Sequence, residues 1–108
     1  MPEAKSEAAR IFGDRVRTER QRLGISQETL AQLSDLHWTF VGQVERGTRN
    51  LSLHNIVKLA AGLDVDPAVL VAGIGGSAVP QAERPLSAAE RIRVERQGAK
   101  PQSTAKPQ

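Results

Sequence analysis

Residues 26–53 read SQETLAQLSDLHWTFVGQVERGTRNLSL, and the way this stretch folds decides how the rest of the chain packs. Ser26 is an N-cap residue ahead of a run in which Leu30, Ala31 and Ser34 share one helical face. A second run, from His37 or Trp38 to Arg46, turns Val41 and Val44 inward, and Gly47 closes it. Only Ser34-Asp35-Leu36 interrupts the two runs. That leaves room for a tight turn between two short helices, the second of which shows polar residues on its outer side.

Working outward, Phe12, Val16, Arg20 and Leu23 lie along one face of a first helix that Gly24 stops. Ser52 caps a fourth helix bearing Ile56, Leu59, Ala60 and Leu63, and Asp66-Pro67 opens a short fifth helix through Val69, Leu70 and Val71. No strand pattern competes. The expectation is an all-α fold, with a compact five-helix domain over residues 7–74 and a flexible basic tail over 75–108. Gly75-Gly76-Ser77, Pro80, Pro85, Pro101 and Pro107 mark the tail. Within it, Ser87-Ala88-Ala89-Glu90 is a capping-box pattern for a short helix over 87–97, which frays unless docked.

Composition removes several classes of function. The 108 residues include no cysteine, so disulfide frameworks, thiol nucleophiles and thiolate metal sites are out. No apolar run approaches the roughly 18 residues of a membrane span, and the N-terminus has no signal-peptide core, which points to a cytoplasmic protein without membrane contact. The three aromatic residues, Phe12, Trp38 and Phe40, are too few for a base-stacking platform. The formal charge of +3 invites a nucleic-acid reading, but through position 75 nine basic side chains meet nine acidic ones. The surplus belongs to residues 76–108, so any specific binding has to come from the placement of side chains.

That placement resembles the phage-repressor and Xre family of helix-turn-helix proteins, closest to the short controllers of restriction–modification systems. The resemblance is carried by Ser26-Gln27-Glu28-Thr29-Leu30-Ala31, by Val41-Gly42-Gln43-Val44-Glu45-Arg46-Gly47, and by Arg49-Asn50 with Ser52-Leu53. It spans roughly residues 10–73 and implies a recognition helix lying in the major groove of double-stranded DNA. Gln27 then clamps a phosphate at the start of the second helix. His37, Trp38, Thr39 and Gln43 face the groove, where Gln43 can pair with adenine N6 and N7, and Thr39 can bond a base or touch a thymine methyl. His37 caps the helix, meets a phosphate or reads a base. Gly42 leaves little bulk, so the backbone can come close to the DNA. Arg46, Thr48, Arg49 and Asn50 fall where the family holds the phosphate backbone. Arg20 and Glu45 match a structural ion pair tying the first helix to the third, and Pro67, Ala68, Leu70 and Val71 match a homodimer interface.

Three positions depart from the pattern. Trp38 stands where related controllers often carry arginine; it packs on sugar or a thymine methyl, or buries against Phe40 or a partner. Phe40 replaces a frequent tyrosine and loses its hydroxyl. Asp35 replaces the usual turn glycine, and aspartate tolerates left-handed backbone better than most residues.

No catalytic constellation competes with this reading. His37 and His54 lie in different helices without carboxylates at a metal-binding spacing, so neither a metal nor another cofactor is expected. Ser26, Ser34 and Ser52 lack a histidine–acid pair. The expected function is a sequence-specific transcription regulator, a repressor in the simplest mechanism, dimeric on a near-palindromic operator. Two alternatives stay open: an antitoxin whose tail, residues 77–108, binds a protein partner, and an adaptor using the fold without DNA. The tail also echoes the first helix, Arg91-Ile92-Arg93-Val94-Glu95-Arg96-Gln97 against Arg15-Val16-Arg17-Thr18-Glu19-Arg20-Gln21, and biased composition is enough to account for this.

Overall fold

The computed structural model describes residues 3–80, 83 and 86–98. Among them the chain forms α1 (Glu7–Arg22), α2 (Gln27–Ser34), α3 (Trp38–Glu45), α4 (Leu53–Leu63), α5 (Pro67–Val71), a 3₁₀ turn (Gly76–Ala78) and α6 (Ala88–Arg96), with no strand. Each start follows from a side chain able to accept from orphan backbone N–H groups. Ser6, Ser26 and Ser52 accept from Ala9, Thr29 and Asn55, and Asp66 accepts from Ala68 ahead of Pro67. The stops use left-handed backbone. Gly24 ends α1 at φ +71°, and Asp35 and Asp64 adopt the same region at φ 54° and 57°. The turn expected at Asp35 therefore forms, without glycine.

The five helices of the body close around one apolar cluster: Phe12, Val16, Leu30, Ala31, Val41, Val44, Leu59, Ala60, Leu63 and Leu70. Two expectations change here. Leu23 does not continue the inward face of α1; it is the C-cap residue and remains exposed. Leu70, assigned to the dimer interface, is fully buried in the monomer's own core and cannot present its side chain to a partner. Its neighbours Val69 and Val71 are the large apolar residues that α5 leaves exposed.

Two glycines set the distances between helices. A Cβ at Gly13 would collide with the carbonyl oxygen of Val44, so α1 and α3 touch backbone to backbone. A Cβ at Gly62 would collide with the Ser34 hydroxyl, so α4 packs closely on α2 with only that side chain between them.

Past α5 the chain is less bare than a linker. Ala78 is buried within the 3₁₀ turn. α6 forms with a completed capping box, Ser87 accepting from the Glu90 N–H and Glu90 accepting from the Ser87 N–H. It buries no residue and leaves Ile92 exposed. Residues 81, 82, 84, 85 and 99–108 of the expected tail lie outside the described residues.

Candidate nucleic-acid interface

α2 and α3 form the two-helix unit, joined through Asp35, Leu36 and His37. The angle of α3 is held by a buried carboxylate. Glu45, with no side-chain exposure, accepts two bonds from the Arg20 guanidinium, at 2.6 Å to Oε2 and 3.0 Å to Oε1. Arg17 adds a longer contact at 3.5 Å, and the Gln27 side-chain amide donates to Oε1 at 3.0 Å. Hydrogen bonding to Glu45 raises the Arg20 pKa above its usual value, against the opposing effect of burial. A raised folded-state pKa gives stabilisation that is lost only when the guanidinium deprotonates, so Arg20 keeps its charge in this pair at neutral pH. Arg20 also donates to the Ile25 carbonyl at 2.9 Å, which fastens the turn after α1 to the same hub.

Gln27 is therefore drawn partly inward, and its oxygen lies across Gly42. A Cβ at Gly42 would sit 3.5 Å from Gln27 Oε1 and 3.3 Å from a guanidinium nitrogen of Arg46. Gly42 is buried under these two side chains. Without DNA these two side chains cover Gly42, so its backbone meets a duplex only where they move aside.

His37 is the N-cap of α3. Its Nδ1 accepts from the Thr39 backbone N–H at 3.2 Å and lies 2.7 Å from the Thr39 hydroxyl. A backbone N–H can only donate, so Nδ1 is an acceptor and the ring proton sits on Nε2. Capping is thus what His37 does locally, and the Thr39 hydroxyl is already engaged. Trp38 is 55% exposed and stacks on the His37 ring, with centroids 6.0 Å apart and planes at 24°. It neither buries nor packs on Phe40. Its edge borders a shallow recess shared with Gln32 and Leu36.

Beyond α3, Gly47 takes φ +76° and is buried, a Cβ there meeting the Arg10 backbone at 3.0 Å. Its carbonyl accepts from the Lys5 N–H at 2.7 Å, so the segment before α1 fastens the end of the recognition helix. Thr48 donates its hydroxyl and its backbone N–H to the Gln43 carbonyl, at 3.1 and 3.0 Å. The Arg49 guanidinium lies 5.0 Å from the centroid of the Phe40 ring, which supports it from below. Arg46, Arg49 and Asn50 are exposed and Gln43 is half-buried.

The residues expected at the interface thus lie on α3 and its two flanks, with Arg20 and Glu45 behind them. Sequence reasoning missed Arg17, Lys5, and the inward tie of Gln27. Arg17 was findable, three residues before Arg20 on the same helical face. The Lys5 contact runs through backbone and leaves no mark in side-chain identity.

This geometry defines a DNA-binding helix-turn-helix protein of the Xre-like, controller type. The helix-turn-helix family (HTH_3) matches residues 16–70, and the chain belongs to it. It is similar to the control protein C.BamHI of Bacillus amyloliquefaciens, 48% identical over 58 residues that cover 53% of this chain and 72% of that one. The control protein C.SmaI of Serratia marcescens is 43% identical over 54 residues, covering 50% and 64%. Among solved structures, the restriction-modification controller protein C.AhdI from Aeromonas hydrophila shares 55% identity at a TM-score of 0.57, over 57% of this chain and 94% of that one. The hypothetical transcription factor NHTF from Neisseria shares 35% at 0.58, over 72% and 80%. α6 lies past the residues that the family matches.

Proposed function

We propose that the chain is a sequence-specific regulator of transcription that binds double-stranded DNA as a homodimer on a near-palindromic operator. One observation carries this reading: α3 is fixed by the buried Glu45 hub while its outer residues, Trp38, Thr39 and Gln43, stay available between Gln27 on one flank and Arg46, Thr48, Arg49 and Asn50 on the other. Rigid presentation of a polar-rimmed helix is what groove insertion needs. Similarity to control proteins, one of them from a restriction-modification system by name, supports a DNA-binding regulator. Repression by occupying a promoter is the simplest mechanism.

A single α3 spans too few base pairs for useful specificity, so two copies are needed, with half-site centres about 34 Å apart. The face of α5 around Pro67, Ala68 and Val71 is the surface for the second copy, with Val69 beside them and Leu70 supporting it from the core. Selection of bound fragments from random DNA, followed by sedimentation of the protein with the selected duplex, tests the proposal. Two protomers on an inverted repeat are expected. A monomer protecting a single half-site would contradict the dimer, and recovery of no preferred sequence would contradict the regulator.

A further inference from the structure

The start of the recognition helix turns two of its donors, both on Thr39, back onto its own N-cap. The Thr39 hydroxyl and backbone N–H both point to His37 Nδ1, leaving the Thr39 methyl for outside contact. Beside it, Trp38 offers a half-exposed indole whose orientation is steadied by stacking on His37. One turn later Gln43 has no side-chain partner among the described residues, so its amide is free to form a paired hydrogen bond. The outer surface of α3 therefore leads with the indole face and the Thr39 methyl at its first turn, and with a free amide at its second.

Resting on the regulator reading above, we infer that Trp38 and Thr39 form a methyl-reading subsite, selecting a pyrimidine that carries a 5-methyl group in the major groove. In that groove the 5-methyl is the apolar feature of a base pair, while guanine offers only acceptors at N7 and O6. Trp38 has one N–H and cannot match those two acceptors as a guanidinium fork does. Thymine supplies such a methyl in unmodified DNA, and 5-methylcytosine supplies the same group after methylation. Trp38 thus sets the operator's base preference at this position, and His37 is a positioning residue that acts through the indole and Thr39.

The test uses the full chain and the duplex obtained by selection. Each thymine is replaced in turn by deoxyuridine, which removes the methyl and nothing else, and each cytosine in turn by 5-methylcytosine. Binding is measured by fluorescence anisotropy for the wild type, Trp38→Ala and Trp38→Arg. Uracil at one thymine per half-site is expected to weaken wild-type binding about fourfold, the worth of burying one methyl. Trp38→Ala should lose that penalty, and Trp38→Arg should shift the selected base at the position toward guanine. If 5-methylcytosine in place of that thymine restores binding, opposite guanine, the methyl itself is what is read; if it does not, only thymine is. Because Trp38 is exposed, both variants should melt within a few degrees of the wild type. An operator that tolerates uracil at every position, or Trp38→Arg retaining the wild-type preference, overturns this inference and leaves the regulator standing. Failure to select any operator overturns both.

Discussion

Gln43 and Arg49 stand near one another at the end of the recognition helix but do different physical work. Gln43 offers an amide whose donor and acceptor match one base edge, so its contribution depends on sequence. Arg49 is a guanidinium held over Phe40 at the rim, where a phosphate is its natural partner and no base is distinguished. Replacing Gln43 with alanine should cost ~1–3 kcal/mol on the selected operator and relax preference at one base pair. Arg49→Ala should weaken operator and random DNA alike and make the salt slope shallower by about one. Competition binding against both DNAs distinguishes the two, and equal losses for both variants would remove the division between them. At this scale the sequence was informative wherever a residue's own chemistry decides its role: Ser26 and Ser52 as caps, Asp35 in left-handed backbone, Arg20 facing Glu45. It was silent where the role depends on a neighbour's position. Nothing in the string shows that Gly42 lies beneath Gln27 and Arg46, or that His37 engages the Thr39 hydroxyl.

At the scale of elements, what matters is that α3 does not choose its own angle. It touches α1 through backbone at Gly13 and through charge at Glu45, and these contacts come from opposite extremes of side-chain size. The ion pair was legible because two charged residues fell on inward faces. The Gly13 contact was not, since a glycine within a helix reads equally as a weak point or as a close approach until the partner helix is placed. Arg20→Ala should destabilise the fold by ~3 kcal/mol, because Glu45 would remain buried with only the partly exposed Arg17 and the Gln27 amide as partners. For a domain of this size that corresponds to a fall in melting temperature of roughly 12–24 °C. The double variant Arg20→Met, Glu45→Leu should recover most of the stability, since apolar residues of similar volume avoid the desolvation of both charges. It should not recover DNA affinity, because Gln27 loses the acceptor that draws it across Gly42. Thermal melts beside operator titrations separate the two effects; affinity returning with stability would show that Glu45 serves the fold alone.

Across the whole molecule the charge is divided. The body is neutral through residue 75, and the surplus lies past the residues matched by the family. α6 shows how that surplus is presented: Arg91 is neutralised by Glu95 at 3.0 Å, while Arg93 and Arg96 are exposed on a helix that buries nothing. A helix this short gains little from its own hydrogen bonds, and its capping box supplies only part of the difference. Arg93 and Arg96 are therefore available to a polyanion, which suits attraction without sequence readout. Sequence alone would place a truncation at Ser77, but buried Ala78 moves the cut to the far side of Pro80. Removing residues 81–108 deletes six basic and three acidic side chains. The dependence of log K on log[salt] should become shallower by about 2–3 per protomer, at about 0.9 for each phosphate no longer neutralised. Sequence preference should stay where it was, because Trp38, Thr39 and Gln43 are untouched and the Glu45 hub still sets the angle of α3. Should the shortened protein instead lose its preference while still melting like the full chain, the tail would be taking part in readout, and the neutral body alone could not account for specificity.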